Sequence, residues 1–255
     1  MTFTIINFEI FLLILVRITG FIFTAPFFSL RNVPINVKSA LSISMAAILF
    51  YTTSFHPPQY NGIMEFSFLI VTEALAGAIM GFFTNIAYYI LNFAGQLLDM
   101  EIGFSMMSQL DPVLNVESTI TANLYGNLVL LIMLITNLHH YFLRAIIDSF
   151  QRVGIGEVMV SPASYQLMIT FIIDYFVIAF RIILPVYAAL LVVNTILAIL
   201  SRIAPQMNMF VIGIQIKIFV GLIVLMMIMG LVPSVADFIF NEMVKMLKAS
   251  VELLH

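Results

Sequence analysis

The sequence predicts an all-α membrane protein, and three observations carry that prediction. Only 9% of its 255 residues are charged, against about 25% in a soluble domain. Hydrophobic residues make up 62% and mean hydropathy is +1.13, so there is too little polar surface to keep such a chain in water as a monomer. Its apolar stretches, such as "NLVLLIMLI" and "GLIVLMMIMGLV", do not alternate with polar residues as the strands of a membrane barrel must. Helices are then the remaining way to satisfy the backbone in lipid.

Apolar helical segments are expected at about 5–29, 39–55, 63–94, 119–143, 166–200 and 208–232, each at or above the roughly 17–25 residues that span a bilayer. The first contains Glu9 and Arg17 and has no positive region before it, which reads as a retained helix and not a cleaved signal peptide. The segments 63–94 and 166–200 exceed one span, and Pro185 is the expected kink in the latter, because proline removes an N–H and crowds the preceding turn. From 235 to 254 the chain is amphipathic: Asp237, Asn241, Lys245, Lys248 and Glu252 share one face, opposite Phe240, Met243, Leu247 and Leu254. That pattern predicts a helix lying on the membrane or on a neighbour. Lys and Arg are divided almost evenly between the two sides of a six-span layout, so the positive-inside rule gives no firm topology.

Several classes of function are excluded or unsupported. Net charge is −3 with no basic tract, which argues against a nucleic-acid partner. The absence of Cys removes disulfides, thiolate catalysis and iron–sulfur ligation. No catalytic motif or phosphate loop occurs, and His139 and His140 are adjacent, about 100° apart on a helix, so they cannot share one metal. Neither an enzyme nor a cofactor is expected.

Four charges, Glu73, Asp174, Arg181 and Lys217, fall inside apolar runs, where an ionisable group is unfavourable by about 2.5–3.5 kcal/mol. They read as helix–helix pairing groups or, alternatively, as an ion path. Gly77 and Gly81 form a G-x-x-x-G, which lets two helix backbones approach closely. The stretch "GQLLDMEIGFSMMSQLDPVLNVES" mixes expected helix breakers, Gly95, Gly103 and Pro112, with the apolar Phe104, Met106, Met107 and Leu110. Such a segment suits neither lipid nor open water, and irregular backbone at membrane depth is tolerated where it lines a cavity. Residues 104–117, with Asp111 and Pro112 ending any helix, are therefore expected to close a passage, flexible Met side chains sealing it. Finally, "SRIAPQMN" interrupts two apolar runs as a polar hairpin tip with Arg202, Pro205, Gln206 and Asn208.

Taken in order, these segments resemble the FliR family of type III export-gate subunits, flagellar or injectisome. "VRITGFIFTAPFFSLRNVPINVK" is similar to the family's N-terminal signature through Arg17, Gly20, Pro26, Pro34 and Lys38. "TEALAGAIMGF" and "AGQLLDMEIGF" followed by "LDP" resemble its next regions. "FRIILPVYAALLVVNTILAILSRIAPQMNMFVIG" is the most specific match, through Arg181, Pro185, Asn194, Arg202, Pro205, Gln206 and Asn208. The resemblance covers roughly 12–225. It implies one polytopic domain of kinked helical hairpins that assembles with FliP-like and FliQ-like subunits into a helical cone, not a bundle of independent spans. It implies further FlhB-like and FlhA-like partners, and a multi-pass place in the bacterial inner membrane within the flagellar basal body. The implied function is a core pore-forming subunit passing unfolded flagellar substrates, with residues 104–117 as plug. An injectisome subunit or a stand-alone ion or solute transporter are the alternatives.

Overall fold

A computed structural model describes residues 5–30, 32–53, 55, 57–104, 120–159, 164–206 and 208–254. The regular structure among them is entirely helical: α1 Ile5–Thr24, α2 Ile35–Thr52, α3 Ile63–Ile102, α4 Ile120–Ile135, α5 His139–Arg152, α6 Ser164–Ile203, α7 Met209–Ile228, a 3-10 turn Met229–Leu231, and α8 Val232–Glu252. Among the described residues, five helical stretches are long and apolar enough to cross a membrane, or six if α4 and α5 count as one broken span. The chain is an all-α membrane protein.

Helix boundaries differ from the hydropathy reading at places with identifiable causes. Helix α1 stops at Thr24, short of 29, because Pro26 disfavours helix in the residue before it; Phe27 then takes a positive φ of 70°. Helix α2 starts at Ile35, earlier than 39, with Pro34 at its N-cap at φ −58°. A proline there forfeits an N–H that would be unpaired anyway. Helix α3 runs straight through Gly95, expected to break it, and ends instead at Gly103. Gly103 has φ +98°, a left-handed conformation that favours glycine, and its N–H donates to the Asp99 carbonyl at 3.1 Å. The expected helix 119–143 is two helices, bent by 72° around Asn137, whose φ is +58°; Asn tolerates that region better than most residues.

Helix α6 continues through Pro185. At 40 residues each, α3 and α6 are about 60 Å long at 1.5 Å per residue, roughly twice the hydrocarbon thickness. Asn208 caps α7, its side chain accepting from the Val211 N–H at 3.4 Å. Helix α8 starts at Val232, ahead of the expected 235.

The chain divides into two compact units. The first comprises Met1–Ala87, Leu134–Phe171 and Phe240–His255; the second comprises Tyr88–Met133 and Ile172–Ile239. In the first, Leu13, Ile14, Ile18 and Phe21 of α1 are buried together with Ala76, Met80 and Ala87 of α3. The end of α8 buries Met243, Met246 and Leu247, and Phe240 meets Phe142 edge-on at 6.0 Å. In the second, Phe93 of α3 packs at a tilt on Tyr175 and edge-on against Phe176 of α6, at 5.4 and 5.3 Å, and Ile102 fills the space left by Gly221 of α7.

Candidate functional site

The seam between α1 and α3 is built on glycines. A Cβ on Gly77 would overlap the Arg17 carbonyl oxygen and lie 2.9 Å from the Phe21 nitrogen; one on Gly81 would overlap the Thr24 hydroxyl and lie 2.8 Å from the Phe21 carbonyl oxygen. From the other side, a Cβ on Gly20 would lie 2.6 Å from the Ala74 carbonyl oxygen. The two backbones touch, so only hydrogen fits at these positions. Asn85 ties off the end of α1, donating to the Thr24 carbonyl at 2.9 Å and to the Ser29 hydroxyl at 3.3 Å.

One turn before Gly77, Glu73 faces Arg17. Both are sealed from solvent, at 0% and 1% exposure. Arg17 Nε donates to Glu73 Oε2 at 2.5 Å and Nη2 to Oε1 at 2.9 Å. The same guanidinium donates to the carbonyls of Val153 at 2.9 Å and Gly154 at 3.1 Å. Glu73 Oε1 also accepts from the Gly156 N–H at 2.8 Å, and the Phe150 ring lies 4.3 Å from Arg17 Cζ. Burying two charges is unfavourable by several kcal/mol per ion unless the remaining donors and acceptors are filled. Here they are filled by main chain from residues 153–156, which fastens that loop onto α1 and α3. The expected helix–helix pairing group Glu73 thus has an intrachain partner 56 residues away. No spacing rule could have found that partner, and Arg17 stands out in the sequence only as a charge in an apolar run.

A second polar node belongs to the other unit. Asp99 is 1% exposed. Its carboxylate accepts the Thr121 N–H at 3.0 Å and the Thr121 hydroxyl. Thr121 stands in the first turn of α4, where backbone N–H groups have no intrahelical acceptor, so Asp99 caps α4 from a different helix. One turn earlier, a Cβ on Gly95 would overlap Ala122, which explains why α3 keeps a glycine there while remaining helical. Asp99 and Thr121 flank the segment expected to be the plug. Of that segment, Phe104 is described, half-buried just past Gly103; Met106, Met107, Leu110, Asp111 and Pro112 lie outside the described residues.

The other sequence-marked residues are divided between the two units. Pro26 is buried behind α1 and Lys38 lies with its Nζ 5.8 Å from the Phe23 ring. Asn194 is half-buried in α6, and Arg202, Pro205, Gln206 and Asn208 are exposed at the tip. Arg202 stands in the last turn of α6, where a cation complements the helix dipole. Of the four charges considered as an ion path, Glu73 belongs to the first unit and Asp174, Arg181 and Lys217 to the second. Tyr60, between α2 and α3, donates to Glu9 at 2.7 Å; that bond, then burial, then the nearby negative charge of Glu9 raise its pKa. Among the described residues no three His, Asp or Glu side chains are grouped closely enough to hold a metal ion.

Comparison with known proteins gives a consistent answer. The family described as bacterial export proteins, family 1, matches residues 8–243. The flagellar biosynthetic protein FliR of Bacillus subtilis (strain 168) is 31% identical over 237 residues, covering 92% of this chain and 91% of that protein. The protein of the same name from Escherichia coli (strain K12) is 27% identical over 237 residues, covering 91% and 89%. That from Aquifex aeolicus (strain VF5) is 24% identical over 231 residues, covering 90% and 88%.

Proposed function

The chain belongs to the FliR family of bacterial export proteins, and from that premise we propose that it is a core pore-forming subunit of the flagellar type III protein export gate. In this reading it sits in the bacterial inner membrane, joins FliP-like and FliQ-like subunits in a helical cone, and works with FlhB-like and FlhA-like components to pass unfolded flagellar substrates. Residues 104–117 close the passage.

The observation that carries this reading is the clamp at the stem of that segment. Asp99 and Gly95 of α3 hold Thr121 and Ala122 of α4, so the helix ends on either side of that partly apolar sequence are fastened to each other. A plug needs such an anchor, since it must be displaced by a substrate without pulling the surrounding helices apart. The flagellar names of the relatives favour the flagellum over an injectisome. The uptake of Glu73 by Arg17 and Gly156 disfavours an ion path through that carboxylate. Partner subunits have a ready surface in the apolar side chains exposed along α6, among them Ile173, Phe180, Leu184 and Val192.

The test is deletion of residues 106–110 in cells that also express the partner subunits. The complex should still assemble, and the cells should become permeable to small ions or solutes, read as conductance or dye uptake. An intact complex with unchanged permeability would show that this segment is not the plug.

A further inference from the structure

The hairpin formed by α6 and α7 is positively charged and holds no acid of its own. Between Asp174 and Asp237 the sequence contains Arg181, Arg202 and Lys217 and no Asp or Glu. Arg202 is exposed at the tip, where the other polar residues of the hairpin gather. Arg181 and Lys217 stand instead within apolar helix. The buried side of α6 is marked by Ile183, Val186 and Leu190, and Arg181 falls about 160° round the helix from Ile183, nearly opposite. Its neighbours one turn away on that outer face, Val177 and Leu184, are 42% and 59% exposed. Lys217 is half-buried and carries the one charge of α7. Neither cation makes a hydrogen bond or ion pair with a described residue. Asp174 lies two turns from Arg181, about 10 Å along α6 and beyond pairing distance.

The face around Arg181 makes two demands at once. Lipid tails would cover Val177 and Leu184 but leave the guanidinium unpaired, which is unfavourable. Water would solvate the cation but leave the apolar side chains uncovered. Headgroup phosphates do not answer for the hairpin as a whole. A Cβ on Gly213 of α7 would lie 3.4 Å from the Leu197 side chain of α6, so the helices run back from the tip side by side and Lys217 stands near the level of Val193. At about 1.5 Å per residue, Lys217 is then about 14 Å from Arg202 along the hairpin and Arg181 about 32 Å. A bilayer offers phosphates in two planes about 30 Å apart or more, and no placement sets all three cations at those planes. An apolar helix carrying a carboxylate meets both demands at any depth.

We propose that the α6–α7 hairpin docks apolar helices of partner subunits that bring one carboxylate to Arg181 and one to Lys217. The proposal rests on the export-gate reading, which supplies the partner subunits. A guanidinium suits the role because its donors pair bidentately with a carboxylate, and charges matched across an interface fix its register.

The test uses the full-length chain co-expressed with its partner subunits, the complex being recovered in mild detergent. No complex with the wild-type chain would overturn the export reading and this proposal with it; the variants decide the proposal alone. Arg181→Leu and Lys217→Leu should each lower recovery at least tenfold, because each leaves a partner carboxylate buried without its cation, while Arg181→Lys keeps most of it. Each Leu variant purified alone should melt as the wild-type chain does. Wild-type recovery of complex with either variant would overturn the pairing at that residue. A lowered melting temperature of the isolated variant would place the counter-charge within this chain and overturn the proposal, as would rescue of Arg181→Glu by Asp111→Lys or Glu117→Lys. Rescue by an acid-to-lysine change in a partner subunit is the expected result. Assembly should be equal in nanodiscs of phosphatidylcholine and of phosphatidylglycerol; a requirement for phosphatidylglycerol would assign the cations to a lipid headgroup instead.

Discussion

Helix α3 carries the same two-residue device twice, once in each unit, and the two copies do different work. In the first unit Glu73 precedes Gly77 by one turn; in the second Gly95 precedes Asp99 by one turn. Each glycine removes a Cβ that would overlap a neighbouring backbone, and each carboxylate reaches across the contact so made. Glu73 accepts from a guanidinium and from a loop N–H, and the guanidinium donates in turn to two loop carbonyls. Among the described residues, Asp99 meets only the open N-terminus and a hydroxyl of another helix. The first is a two-charge lock holding three chain segments, with no tolerance for losing a member. The second is a one-charge cap holding two helix ends, where loss affects one turn. The difference follows from desolvation: two buried charges must both be satisfied, whereas a single carboxylate at a helix N-terminus already meets a favourable dipole and unfilled N–H groups.

The largest expected effect comes from removing the close approach on which the lock depends. Gly77→Leu with Gly81→Leu adds side chains where main-chain atoms already touch. Overpacking a deformable core is unfavourable by about 1–3 kcal/mol per site, and here the neighbour is backbone, which cannot rotate away. The full-length double variant should lose cooperative thermal unfolding and fail to assemble with its partners. Normal recovery of the complex would show that the two helices can separate without consequence.

Next in size is the lock itself. Arg17→Leu or Glu73→Leu alone should destabilise by about 3–5 kcal/mol, because the remaining charge is buried without its partner. For an ordinary buried pair the double Leu variant would regain most of that. Here it would orphan the carbonyls of Val153 and Gly154 and the N–H of Gly156, each unfavourable by about 1–3 kcal/mol when left buried. The double variant should therefore melt close to the singles. A return to the wild-type melting temperature would mean that the loop contacts contribute nothing.

What was legible in the sequence divides along the same line. Hydropathy located the helices, and the G-x-x-x-G pointed to a close helix contact without naming the partner helix, because apolar length and small-residue spacing are local signals. Gly95 misled for the converse reason: taken alone it is a poor helix residue, but a tertiary contact with Ala122 overrides that preference. The partners of Glu73 and Asp99 were invisible, since one bonds a side chain 56 residues away and main chain 83 residues away, and the other a residue 22 away. The bend at Asn137 interrupts an apolar run without any Pro or Gly, so its notice in the sequence was Asn137 itself, a weaker helix-end signal than glycine. The loop 153–156 offered only glycines, and Gly156, at φ +81°, is the one whose N–H serves the buried carboxylate.

The smallest and most local effect is expected at the cap. Asp99→Ala removes the acceptor for two bonds, and hydrogen bonds to charged groups contribute about 1.5–3 kcal/mol. Asp99→Asn keeps one acceptor oxygen and the shape, so roughly 0.5–1 kcal/mol should be lost, in line with other N-cap changes. Its signature should be positional. Amide hydrogen exchange in the first turn of α4, at residues 120–123, should speed up, while protection across Arg17, Glu73 and Gly77 stays as in wild type. The melting temperature should barely move, since a frayed turn is not a broken unit. If Asp99→Asn instead lowered the melting temperature as far as Glu73→Leu does, the two devices on α3 would be equivalent, and the distinction between a lock and a cap would fail.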